Sequence, residues 1–343
     1  MFSFLRTAVL AVAGLLAWIP SSSTHAGPLS APARLDSLPD PDVFTVATWN
    51  IQFFGGDEGP SNDALQLENV KTVLKTLKPD LLAIQEITTV SVLQEIVRDF
   101  PVYRYHYANY ISQDQKLAFL YNAEAMDVIS ISSMDPRDTG NDDFLYHSAY
   151  RLPFVFRFTL DKGDQPRTLA AVNIHAKANT GSSSDRRESY YRRVGQGQGL
   201  YEALSLREQE WGHVILLGDF NDDLDASIYN NQPSPYKPMV DDAQRFVPVS
   251  LPLSQRRFTS MTSFAEMIDH VVATGRFREF VPQEWGSVKV HRADAYITDY
   301  ARTTSDHYPV VASFNMNLTS TSTEWELGEG RDPSPHGITV HGA

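Results

Sequence analysis

Six segments of the chain set polar side chains beside an apolar run, and their types suggest one kind of chemistry. Val214-Ile215-Leu216-Leu217-Gly218-Asp219-Phe220-Asn221 breaks a buried-type run at a glycine, then presents a carboxylate and a carboxamide two positions apart. Four apolar residues without alternation suit a strand covered on both faces, and a period of two points Asp219 and Asn221 the same way. Alone, the segment also reads as a strand followed by an Asx turn. The pattern recurs, however. Thr45–Asn50 ends in an amide, Leu81–Glu86 in a carboxylate and Leu169–His175 in an imidazole, while Met267–Val272 carries Asp269 and Ser305-Asp306-His307 opens a further strand. Independent turns do not explain such a set.

Cleaving a phosphodiester in water needs a cation on a phosphate oxygen, a group that directs water in line, donors for the equatorial oxygens and help for the leaving alkoxide. Glu86 is a hard oxygen ligand of the kind that holds Mg²⁺ together with water and substrate phosphate, and Asn50 supports that ion or the phosphate. Asp306, His307 and Asp269 supply acid/base parts, since histidine titrates nearest neutrality. A buried Asp269 accepting from His307 would fix the ring tautomer and stabilise the imidazolium. His175 and Asn221 serve as donors to phosphate oxygens, and Asp219 orients the attacking water.

Trp49-Asn50, Gln85-Glu86, Asn173-Ile174-His175, Gly218-Asp219-Phe220-Asn221, Ile268-Asp269-His270 and Ser305-Asp306-His307, in that order, resemble the endonuclease/exonuclease/phosphatase superfamily, which includes deoxyribonuclease I. The resemblance covers roughly residues 43 to 315. It implies an α/β four-layer sandwich, two mixed β-sheets face to face with helices outside. It also implies hydrolysis of a phosphate ester with Mg²⁺ or Mn²⁺, with Asp306 near the metal beside Asn50 and Glu86, and His307 as the second member of an acid/base pair. Arg151 matches a position where nuclease-type relatives carry a phosphate-contacting arginine. Lys177, two positions after His175, reads either as a contact to the substrate backbone or as an exposed lysine. His270 reads as structural, and His213 and His291 as surface residues. Asp222, Asp223 and Asp225 could hold a structural Ca²⁺, although three acids in a loop are more often a solvated turn.

The elements that must position these groups are legible in outline. A strand over 43–50 leads through a glycine-rich turn to a helix with Leu67, Val70, Val73, Leu74 and Leu77 at helical spacing, begun by Asp63 and Gln66 in a capping-box pattern. Pro79 stops that helix ahead of a strand over 81–84, and a second helix is expected over 91–99. Strands follow at 103–110, 117–121 and 125–131, a polar loop at 135–143, and a hairpin of 154–160 with 168–174. A polar segment over 178–189 leads into a helix bearing Arg192 and Arg193, interrupted by Gly195, Gly197 and Gly199, which resumes to about Trp211. Residues 222–252 read as loop-rich.

At the N-terminus Arg6, the apolar run Ala8–Ile19 and Thr24-His25-Ala26 read as an export signal cleaved near Ala26, placing the protein in the periplasm or outside the cell. Residues 27–42 read as a linker, 43–315 as one catalytic domain and 316–343 as a tail without structure. The 343 residues contain no cysteine and carry a formal net charge of −13. Such a chain is not a bulk-electrostatic nucleic-acid binder, so a phosphate substrate must be attracted locally, by a metal ion and a few basic side chains.

Nucleic acid is the expected substrate, with Arg186, Arg187, Arg192 and Arg193 able to track a phosphate backbone. The alternatives are a lipid or inositol phosphate ester and, in a different class, a catalytically silent binding module. No exposed apolar hairpin suits membrane entry. The chain is expected to act as a monomer, without stable membrane insertion or a protein partner.

Overall fold

The structure, a computed structural model, describes residues 40–281 and 287–317. The expected export signal and the tail from residue 318 lie outside the described residues, as does all but the end of the linker. The strands are β1 (Val43–Phe54), β2 (Leu81–Ile87), β3 (Tyr103–Tyr107), β4 (Lys116–Asn122), β5 (Met126–Ser133), β6 (Phe154–Leu160), β7 (Arg167–His175), β8 (His213–Asp219), β9 (Phe246–Val247), β10 (Asp269–Thr274), β11 (Val288–Val290) and β12 (Val310–Asn315). They form two six-stranded sheets in the orders β11-β12-β1-β2-β4-β3 and β5-β6-β7-β8-β10-β9.

Each sheet has one parallel pair at its centre, β1 with β2 and β7 with β8, among antiparallel neighbours. A parallel pair needs a crossover, and helices supply it: α1 (Asp63–Leu77) between β1 and β2, and the long helix Ser183–Trp211 between β7 and β8. A second helix, α2 (Ser91–Asp99), and a single turn, α3 (Phe144–His147), precede that long one, which is α4. The apolar residues sort by face. Phe44, Phe119, Phe154, Phe156, Phe158 and Ile215 fill the space between the sheets. Val70, Val73, Leu93 and Ile96 of α1 and α2 cover the outer face of the first sheet, packed with Leu82 and Ile84. Leu200, Ala203 and Leu204 of α4 cover the other, against Ala170, Val172 and Leu216. This is the expected four-layer α/β sandwich.

Two features bring the strand ends together. Gln85 donates across the sheet interface to Asn173 Oδ1 at 2.7 Å, and the Asn173 amide donates in turn to the carbonyls of Ile84 and Ala118 at 3.0 Å. Buried amides satisfied in this way lock one sheet over the other in a single register. Gly218 sits at φ +149°, where a Cβ would lie 2.1 Å from the carbonyl oxygen of Ile174. Only glycine lets β8 lie flush beside β7, and His175 is thereby set opposite Asp219.

The helices depart from expectation at two points. Asn62, not Asp63 with Gln66, caps α1, and the Gln66 amide instead reaches the carbonyls of Gln52 and Thr304. α4 runs unbroken for 29 residues from a capping box at Ser182 and Asp185, through the segment expected to be loop and through all three glycines. The glycines are contact points rather than breaks. A Cβ on Gly195, Gly197 or Gly199 would meet the His147 ring at 2.5 Å, the Pro235 carbonyl at 2.2 Å or the Phe144 ring at 2.5 Å. Close packing outweighs the roughly 1 kcal/mol of helix propensity lost at each glycine.

Candidate active site

Asn50, Glu86, His175 and Asp219 stand at the carboxyl ends of the two parallel pairs. Asp269 opens β10 directly opposite Asp219 in the ladder. Asp306 and His307 lie on the turn entering β12, held by a bridge between Met261 and His307 and a hydrogen bond from the Thr262 N–H to the Asp306 carbonyl at 2.8 Å. Trp49 Nε1 and the Tyr300 hydroxyl both donate to the His307 carbonyl, at 3.1 and 2.6 Å.

The central contact is His307 Nδ1 to Asp269 Oδ2 at 2.7 Å, with both side chains buried. His307 Nε2 then points toward Asp219 Oδ2, 4.0 Å away. Burial opposes charge on His307, but the charge and hydrogen bond of Asp269, reinforced by Asp219 and Asp306, raise the ring to about 10, so it stands as imidazolium. Burial pushes the Asp219 carboxyl up to about 7, with Asp269 adding to the rise and the His307 charge opposing it. His175 is held neutral, well below the ordinary histidine value, by burial and by the nearby charges of Arg151, His307 and Lys177. Its Nε2 lies 3.5 Å from Asp219 Oδ2 and 3.8 Å from Glu86 Oε1.

Three site-lining residues adopt left-handed backbone without being glycine: Phe53 (φ 44°), Glu86 (φ 65°) and Asn221 (φ 49°). The strand pairing on both sides of β2 is irregular at this point, and such a bulge re-aims a side chain at the cost of local strain. Glu86 thereby accepts from the Phe53 N–H at 3.1 Å and from the Asn50 amide at 3.1 Å.

The donor set on this side fits a hard divalent cation. Asn50 Oδ1 is buried without a hydrogen-bond partner. Burial raises the Glu86 carboxyl, and the nearby negative charge of half-buried Asp306 adds to that rise. A cation among Asn50, Glu86 and Asp306 would satisfy the carbonyl oxygen and relieve the crowded charge. Asp219, Asp269 and His307 also offer ligand atoms within 4.8 Å of one another and could gather a cation. In this arrangement His307 Nδ1 is already engaged by Asp269.

Residues 47–307 match the Endonuclease/Exonuclease/phosphatase family. The chain belongs to that family. No curated protein matches it. Among solved structures it is similar to the Bacteroides thetaiotaomicron endonuclease/exonuclease/phosphatase family protein (16% identity, 79% of this chain and 94% of that one, TM-score 0.52). It is also similar to the human Nocturnin catalytic domain with bound sulfate (15% identity, 80% and 94%, TM-score 0.51) and to D. rerio TDP2 complexed with a single-strand DNA product (13% identity, 80% and 99%, TM-score 0.52). At these identities the likeness is one of fold. Membership makes the chain a hydrolase of the phosphoric-ester type.

Within this family fold, not every expected residue faces the site as a free group. The Asn221 amide donates to the Ala176 carbonyl at 3.2 Å and to Asp219 Oδ2 at 3.1 Å, and the Asn221 N–H donates to Asp219 Oδ1 at 2.8 Å. Asn221 therefore positions Asp219 and is not a free donor to phosphate. Arg151 reaches the carbonyls of His175 and Ala176, both at 3.3 Å, where the charges of Glu86 and Asp219 act on it. Lys177 is half-buried in the loop after β7.

His270 is fully buried between the Ser250 hydroxyl at 2.9 Å and the Met267 carbonyl at 3.0 Å, a structural role. His213 and His291 are half-buried, not surface residues: His213 sits against the rings of Phe277 and Phe280, and His291 hydrogen-bonds the Tyr296 hydroxyl at 2.8 Å. Asp222 is neither a solvated turn residue nor free to bind calcium. Its carboxylate takes Arg193 Nε at 2.9 Å, the Ser227 hydroxyl at 2.8 Å and the Ile228 N–H at 2.8 Å, and both members of the ion pair are fully buried. Arg193 therefore cannot track a phosphate backbone.

Ser305 has no assigned role in the sequence pattern beyond opening Ser305-Asp306-His307. Its hydroxyl donates to the Asn50 carbonyl at 2.7 Å and accepts from the N–H groups of Gln52 and His307 at 3.2 and 3.1 Å, tying the metal side of the site to the acid/base side. Its place in Ser-Asp-His was the available signal.

Proposed function

We propose that the protein is an exported, Mg²⁺- or Mn²⁺-dependent nuclease that hydrolyses a phosphodiester of DNA or RNA by in-line attack of water. The observation that carries this reading is the convergence of Asn50 and Glu86 with Asp219 and the 2.7 Å Asp269–His307 pair at one strand-end cluster, with the Asp306 charge acting on both Glu86 and His307. Family membership and the single-strand DNA product held by D. rerio TDP2 support it.

A cation held by Asn50, Glu86 and Asp306 would polarise the phosphate and stabilise charge on the leaving oxygen. Asp219, fixed by Asn50 and Asn221, orients the attacking water and accepts its proton. His307, held as imidazolium by Asp269, donates Nε2–H to the equatorial oxygens as their charge grows. Neutral His175 supplies a second donor, and Arg151 and Lys177 hold flanking phosphate.

Purified protein with Mg²⁺ or Mn²⁺ is expected to degrade single- or double-stranded DNA or RNA, with activity lost in EDTA and restored by excess metal. Intact nucleic acid in a panel where sphingomyelin or a phosphoinositide is hydrolysed would replace the nuclease reading with a lipid-phosphate one.

Export rests on Arg6 and the apolar run Ala8–Ile19. Among the described residues no helix is long and apolar enough to cross a membrane. N-terminal sequencing of the protein recovered from culture medium or periplasm should begin close to Gly27, and an intact Met1 terminus in the cytoplasmic fraction would refute export.

A further inference from the structure

Beside the catalytic cluster, α3 and the first turns of α4 enclose an open groove of about 630 Å³, lined by Tyr146, Arg187, Tyr191 and Arg192 among others. The Arg192 guanidinium lies 4.1 Å from the centre of the Tyr146 ring and 5.6 Å from that of Tyr150, and Arg187 lies 5.7 Å from that of Tyr191. Tyr150 and Tyr191 leave 51% and 56% of their surface exposed, a large aromatic area with no role in the core. Tyr150 is held there by left-handed backbone at both Ala149 (φ 53°) and Tyr150 (φ 60°), the two residues before Arg151. Strain of that kind persists where the surrounding structure enforces it and is concentrated at binding sites.

The groove approaches the site at Lys177. Arg193 of α4 donates to the Lys177 carbonyl at 2.8 Å, and the charges of Arg192 and Arg151 both act on Lys177. Among the described residues Arg151, Lys177 and Arg187 form no salt bridge, in a chain of net charge −13, whereas Arg192 is buried and spends its Nε and a terminal nitrogen on the Tyr146 carbonyl, fixing that ring in the wall. The acid on the groove wall, Glu188, accepts the Tyr146 hydroxyl at 2.8 Å. Unneutralised cations alternating with exposed aromatic rings make a surface for a strand that carries both phosphates and flat bases. A duplex hides its base faces, so such a surface favours an unpaired strand.

Resting on the nuclease reading, we propose that this groove binds the substrate strand beyond the scissile phosphate, stacking an unpaired base on Tyr191 while Arg187 meets the adjoining phosphate. The test is fluorescence anisotropy in EDTA, which prevents turnover, with a short labelled thymidine oligonucleotide, the same oligomer built from abasic deoxyribose phosphate, and a duplex of equal length. The expected results are a thymidine strand bound more tightly than the abasic strand or the duplex, and a Tyr191→Ala variant about tenfold weaker for thymidine but unchanged for the abasic strand. Tyr191→Phe should restore thymidine binding. Equal affinity of the wild type for thymidine and abasic strands, or no loss in Tyr191→Ala, overturns the proposal. Hydrolysis of bis(4-nitrophenyl) phosphate by the wild type with Mg²⁺ or Mn²⁺ tests phosphodiester cleavage separately, so the two can fail independently.

Discussion

Asp219→Asn and Asp269→Asn are each expected to lower kcat for phosphodiester hydrolysis by about 10²–10⁴-fold, with little change in KM. Asn at position 219 preserves the shape of the carboxylate and can still accept the Asn50 amide bond, now 3.0 Å, but it cannot take a proton from water. Asn at 269 leaves an acceptor 2.7 Å from His307 Nδ1 and removes the charge that sustains the imidazolium. Both changes are isosteric and sit at strand ends, so circular dichroism and thermal unfolding should show the fold retained. Steady-state hydrolysis of bis(4-nitrophenyl) phosphate reads the effect. Activity within tenfold of wild type in either variant would remove that residue from the chemistry.

The largest stability effect is expected away from the reacting groups. Arg193→Met should destabilise the protein by about 3–5 kcal/mol, because it leaves the Asp222 carboxylate buried with no countercharge. Tm should then fall by roughly 10 °C in a domain of this size. Burial already raises the Asp222 carboxyl in the presence of the arginine, and losing that cation raises it further. A folded-state carboxyl raised above its unfolded value binds more protons when folded. The deficit is therefore greatest above that raised value and shrinks as pH falls toward about 4, where the unfolded aspartate titrates. Urea unfolding of wild type and variant across that range checks both magnitude and sign, and equal stability at neutral pH would show that the pair contributes nothing net. Since α4 joins β7 to β8, loosening it should also disturb the register that sets His175 beside Asp219.

Local patterns carried much of this structure. Apolar spacing located α2 at its observed bounds, Ser91–Asp99, and placed β6 over Phe154–Leu160. These elements bury one face or stripe whose period is written in adjacent residues. The same reasoning broke α4 at its glycines, because propensity is a nearest-neighbour property. The compensating contacts come from His147, Phe144 and Pro235, distant in the chain.

Through the family motifs the sequence by itself pointed to the four-layer class, and its short apolar runs marked the strands beside which the candidate site residues lie. Tertiary structure alone decided what those groups do to one another. It turned the Asn221 amide onto Asp219, buried Arg193 against Asp222, gave Ser305 its bridging place, turned Arg192 onto the Tyr146 carbonyl and left Arg187 unneutralised beside exposed Tyr191. The physical reason is that charge state, hydrogen-bond partner and exposure depend on which groups meet across the two sheets. Those meetings join residues as far apart as Asn50 and Asp219, or Asp269 and His307, which no local spacing encodes.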